Sequence, residues 1–180
     1  KANGVYDDAA KRFKEVELTS RVAESYWKIA RNLDLLSDTA QAARNYDDAY
    51  TEYENAAQSM PSFSDFFLDY ASYMKAWSEI EKAKFAHNNR RHASAMKHYR
   101  KTASLLKQNK KWGYLSSNFL AWSFLEKAEA LSRNDRSSRA IEVFKNAVEF
   151  FREAKGSLQI AFDKVEDADE KHLVERLIKA

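Results

Sequence analysis

The sequence predicts an all-α protein of antiparallel helix pairs, about eight helices arranged as a single 1–180 helical repeat domain. Three observations carry that expectation. First, a short motif recurs four times, as Ala9–Phe13–Val16, Ala49–Tyr53–Ala56, Ala95–Tyr99–Thr102 and Ala140–Phe144–Ala147. Steps of four and three put its members on one helix face, where a ring beside a small residue lets two helices approach closely. Second, the alanines recur at intervals of 40, 46 and 45 residues, the period of a supersecondary unit in a stacked array. Third, only 3 Gly and 1 Pro occur in 180 residues, too few for the turns of a sheet protein.

Each element follows from local pattern. Tyr6-Asp7-Asp8-Ala9 and Tyr46-Asp47-Asp48-Ala49 echo one another and read as two helix starts, with carboxylates favoured by the helix dipole. The first helix runs about 5–17. Thr19 or Ser20 caps the second, about 20–44, with Val22, Tyr26, Ile29, Leu33, Leu36 and Ala40 as its inner face. The third, about 46–59, stops near Pro61. Ser62 or Ser64 caps the fourth, about 64–87, with Phe67, Tyr70, Met74, Trp77, Ile80 and Ala83 inward. After the His87-Asn88-Asn89 loop the fifth covers about 91–108, and the sixth about 114–133 after a break at Asn109–Gly113. The seventh spans about 136–155 with Gly156 as its C-cap, and a last amphipathic segment occupies about 157–178. The helix pairs are then 20–61, 64–111 and 114–156, preceded by an orphan helix in 1–18 and closed by a capping helix in 157–180. Lys1 in place of Met reads as a segment cut from a longer chain or as a processed product.

Charge is distributed unevenly. Residues 1–81 carry 9 basic and 15 acidic side chains, residues 82–125 carry 10 basic and none acidic, and residues 126–180 carry 11 and 12. No window is apolar enough for a membrane span, and the start lacks a signal-peptide pattern. The absence of cysteine excludes disulfides and thiolate metal sites and fits a cytoplasmic location.

The motif residues resemble the tetratricopeptide repeat family. Leu36, Ala49, Tyr53, Ala56 and Pro61 fall at that family's offsets, as do Ala128, Ala140, Phe144 and Ala147, and Ala83, Ala95 and Tyr99. Thr102, Lys107 and Arg152 depart from it, and the interval exceeds the family's by about ten residues. The resemblance implies an elongated, right-handed α-solenoid that binds a peptide or helix along a groove. Carried over by position, the groove is lined by Arg31, Asp34, Asp38, Gln41, Trp77, Glu81, Lys84, Asn88, Trp122, Glu126, Glu129 and Arg133. The Lys and Asn pairs of the family's carboxylate clamp are missing from those positions.

The acid-free stretch offers a second surface. Lys97, Arg100, Lys101 and Lys107 lie opposite the Met96–Tyr99–Ala103–Leu106 face, extended by Lys110 and Lys111 and, at the other end, by Arg90, Arg91, His92 and His98. Catalytic patterns are missing: there is no P-loop, His-Glu-x-x-His or nucleophile elbow, and the Asp169-Glu170-Lys171-His172 run lacks the paired Glu-x-x-His motifs of a di-iron bundle. The expectation is a non-enzymatic scaffold or adaptor with no catalytic residues, metal or cofactor, whose partner is another protein or peptide. Self-association stays open. The alternative is a nucleic-acid or phosphate docking module using the basic face.

Overall fold

The computed structural model describes residues 2–179, with side chains described at residue 11 and from residue 13 onward. Among them are seven α-helices and no strand: α1 (Ala2–Leu35), α2 (Thr39–Ser59), α3 (Ser64–Asn88), α4 (His92–Lys107), α5 (Ser116–Ser132), α6 (Ser137–Phe162) and α7 (Ala168–Lys179). Short 3₁₀ turns at Pro61–Phe63 and Gly113–Leu115 lead into α3 and α5. The chain divides into two compact units, Lys1–Glu81 and Lys82–Ala180, with the division inside α3. In the first, α1 packs on α2; in the second, α4 packs on α5, α5 on α6 and α6 on α7.

The count is seven, not the eight expected, because the first two expected helices are one. Thr19 and Ser20 do not cap a helix start. Thr19 Oγ1 donates to the Glu15 carbonyl at 2.9 Å and Ser20 Oγ to the Glu17 carbonyl at 2.9 Å, so both hydroxyls are satisfied within a continuing helix. The break comes at Ser37, where the backbone turns left-handed (φ 61°), and Asp38 caps α2 by accepting from Gln41 N at 3.1 Å. Tyr46-Asp47-Asp48-Ala49 therefore sits inside α2 and starts nothing; the matching run at Tyr6–Ala9 has side chains outside the described residues. At the other end, Gly156 does not stop α6, which continues to Phe162.

The same left-handed turn joins each helix pair. Ser37, Arg90 and Asp135 all have positive φ. In each case the next residue's N–H reaches back five places to close the preceding helix, in the bonds Asp38 N to Leu33 O, Arg91 N to Ala86 O and Arg136 N to Leu131 O. Aligned on these turns, which lie 53 and 45 residues apart, the units match position by position. Ala23, Ala76 and Ala121 match, as do Ala30, Ala83 and Ala128, and all six are fully buried. After the turn come Ala42–Tyr46–Ala49, Ala95–Tyr99–Thr102 and Ala140–Phe144–Ala147. The first unit's matching motif thus lies seven residues before Ala49–Tyr53–Ala56, although that motif too is buried. The chain also repeats Ala-Trp-Ser-x-x-Glu-Lys-Ala at Ala76–Ala83 and Ala121–Ala128.

The first expected motif fails. Phe13 is 59 % exposed while Val16 is buried, and the Ala9 side chain lies outside the described residues. The inner face of the expected second helix is also reversed. Val16, Ala23 and Ala30, seven residues apart, are buried, whereas Val22, Ile29 and Leu36 face solvent. Small side chains here let α1 approach α2 closely, and the larger apolar ones are turned outward.

Candidate functional site

α1 carries an unburied apolar stripe. Leu18, Val22, Ser25 and Ile29 follow one another at steps of four, three and four, and with Tyr26 and Arg21 they line a shallow hollow along one face of the helix. Leu18, Val22 and Ile29 are all exposed. The spacing is that of a coiled-coil seam, the pattern a helix shows to another helix. Arg21 and Lys28 border it, both paired to Glu24 (3.4 and 2.8 Å). The Lys28 hydrogen bond chiefly holds the Glu24 carboxyl below its usual range, against a smaller opposing effect of burial.

The positions expected to line a groove are not alike. Arg31, Gln41, Asn88 and Arg133 are exposed, and Asp34, Asp38, Lys84 and Glu129 are half-buried. Glu81 and Glu126 lie in the interior, so neither offers its carboxylate to a surface groove. Trp77 and Trp122 are half-buried and engaged in packing. Trp77 stacks on Tyr46 with centroids 6.0 Å apart and meets Tyr73 edge-on. Trp122 lies against Tyr99 at 6.0 Å and meets Phe151 edge-on. The basic positions form a simpler set: Arg90, Arg91, Lys97, Arg100, Lys101, Lys107, Lys110 and Lys111 are all exposed. Asn109 shapes the end of that surface, its buried Oδ1 accepting from Lys111 N and Trp112 N at 3.0 and 2.8 Å.

Sequence reasoning missed one cluster. His87 in the last turn of α3 and His92 at the start of α4 converge across the left-handed turn on Glu126 of α5. His87 Nδ1 lies 2.7 Å from Glu126 Oε1, and His92 Nδ1 lies 2.8 Å from Oε2. Glu126 is 1 % exposed and His92 6 %, while His87 is half-exposed. Local pattern places His87 in a loop, His92 on a basic surface and Glu126 in a groove, and so keeps the three apart. The available signal was the pair of histidines flanking a predicted helix–helix turn; the carboxylate comes from 34 residues further on.

No helix among the described residues is long and apolar enough to cross a membrane. Comparison with protein-family models, curated proteins and solved structures finds no match for this chain.

Proposed function

We propose that this chain is a tetratricopeptide-like interaction scaffold, and that the α1 stripe receives an amphipathic helix from a partner protein. The observation that carries this reading is the seam of Leu18, Val22, Ser25 and Ile29 left open to solvent on a helix whose opposite face is buried. Exposed apolar surface organised at heptad spacing suits a helix-on-helix interface. Arg21 and Lys28 beside the seam favour a partner helix with carboxylates flanking its own apolar edge. A preformed helical face also avoids part of the ordering cost of binding.

A photo-crosslinker placed at Ser25 tests it in cells. The expected result is a discrete protein adduct that disappears in Val22→Asp/Ile29→Asp, with no equivalent adduct from a crosslinker at Lys101. Labelling at Ser25 that is absent, or indifferent to the two aspartates, removes the reading. An adduct with a second copy of this chain identifies self-association instead.

The eight exposed cations on α4 and its flanking turns favour a second reading, docking of nucleic acid or phosphate. Contact with about five phosphates of a single strand gives roughly a hundredfold loss of affinity between about 50 and 200 mM salt. No binding at low salt rules this out.

A further inference from the structure

The geometry points to a binding site for a divalent transition-metal cation at His87, His92 and Glu126. Two imidazole nitrogens and a carboxylate converge, with one donor atom from each residue within 4.8 Å of the others. That is the ligand set of an open three-residue site, with the remaining coordination positions left to water. Borderline cations such as Zn(II) or Co(II) take imidazole and carboxylate together, whereas Ca(II) and Mg(II) prefer oxygen throughout.

Three features separate this cluster from an incidental contact. Both rings turn the same nitrogen, Nδ1, toward the one carboxylate, each to a different oxygen. A metal with bonds of about 2.0–2.1 Å needs ligand atoms roughly 3.3 Å apart in a tetrahedron. The present gaps of 2.7 and 2.8 Å fall roughly half an ångström short of that, so admitting a cation takes a small turn of both rings about Glu126. Second, Glu126 is buried, where a carboxylate is costly unless positive charge is held against it, and a bound dication supplies that charge.

Third, the fold does not require histidine at these positions. His87 and His92 stand three before and two after the left-handed Arg90. The equivalent residues around Ser37 are Asp34 and Thr39, and around Asp135 they are Ser132 and Ser137. The same turn is built with three different pairs, and only one of them supplies two imidazoles. Glu81 matches Glu126 in the Ala-Trp-Ser-x-x-Glu-Lys-Ala repeat and is equally buried, so the buried carboxylate belongs to the repeat and the histidines are the local addition.

The test titrates Zn(II), and Co(II) as a spectroscopic reporter, into the full chain after chelator treatment at neutral pH. Calorimetry is expected to show one equivalent per chain. Co(II) should give visible absorption of a low-symmetry site, and long-range ¹H–¹⁵N spectra should show Nδ1 ligation at two histidines. His87→Ala, His92→Ala and Glu126→Gln should each weaken binding on the order of a hundredfold. His98→Ala and His172→Ala should leave it unchanged. Because His92 and Glu126 are buried, their variants could unfold; His87→Ala, half-exposed, is expected to keep its helical circular dichroism and so gives an independent reading. No saturable binding, or binding that survives His87→Ala or is lost with His98 or His172, overturns the site and leaves a hydrogen-bonded interior cluster.

Discussion

Tyr46 of α2 lies nearly parallel to Trp77 of α3, centroids 6.0 Å apart and planes at 24°. Tyr99 and Trp122 repeat the pairing at 6.0 Å and 31°. Each pair joins the second helix of one repeat to the first helix of the next, with Ala42 and Ala49 or Ala95 and Thr102 flanking the tyrosine on its own helix. Tyr46→Ala should therefore cost about 3–5 kcal/mol, as for a core aromatic truncated in place. A Tyr46→Ala/Trp77→Ala cycle followed by urea unfolding should show about 0.5–1.5 kcal/mol of coupling. Lys101→Ala, on an exposed face, should stay within about 0.5 kcal/mol.

The reversed face of α1 gives a sharp contrast between neighbours. Ala23 has no exposed surface and faces the close α1–α2 contact, so Ala23→Leu should overpack it and cost about 1–3 kcal/mol. Val22→Ser, one residue away on the open stripe, should change stability by less than about 0.5 kcal/mol. Thermal melts of the two variants check this, and equal effects would contradict the assigned faces.

Ser37 occupies the left-handed region at φ 61°, which costs an L-residue roughly 1–2 kcal/mol relative to glycine. Ser37→Gly should leave stability unchanged or raise it by up to about 1 kcal/mol, and Ser37→Val should lower it by about 1–2 kcal/mol. The measurement is the urea midpoint, read together with helical content to show that the α1–α2 turn persists.

Stability should also fall at alkaline pH. Burial pushes the Tyr46 phenol far above its ordinary value of 10.0, reinforced by Tyr73 and Glu81, and burial with Tyr70 does the same for Tyr53. Tyr50 is pushed up to about 12, chiefly by its hydrogen bond to Glu54. The folded state thus holds protons that the unfolded chain gives up near pH ~10. The contribution is complete below that pH and is lost as pH rises toward the folded values. Tyr46→Phe and Tyr53→Phe should flatten the decline in unfolding midpoint between about pH 10 and 12.

What was legible in the sequence was whatever is local. Pro61, the Asn88–Asn89 loop and the Asn109–Gly113 break delimit α3 and α4 nearly where the structure has them, and Ala95, Tyr99, Thr102, Ala103 and Leu106 are buried as their spacing required. Thr19 and Ser20 misled because a hydroxyl that can cap a helix can equally bond back into one. Val22, Ile29 and Leu36 misled because apolar periodicity marks a face without saying whether anything covers it. The left-handed turn at Ser37 carries no glycine to announce it. The His87–His92–Glu126 cluster depends on a contact between distant segments, which no local window contains.

Gly156 lies inside α6, and a methyl group added there would meet nothing within 4 Å. Alanine at that point would favour the helix by about 1 kcal/mol, so the chain forgoes local stiffness where space does not demand it. Beyond it, Leu158, Ala161 and Val174 are buried, and Tyr114 donates to Glu170 at 2.6 Å. Residues 157–179 are therefore fastened by what they touch rather than by their own tendency to coil, and loosening those few anchors would free this segment while the helices before it stay intact.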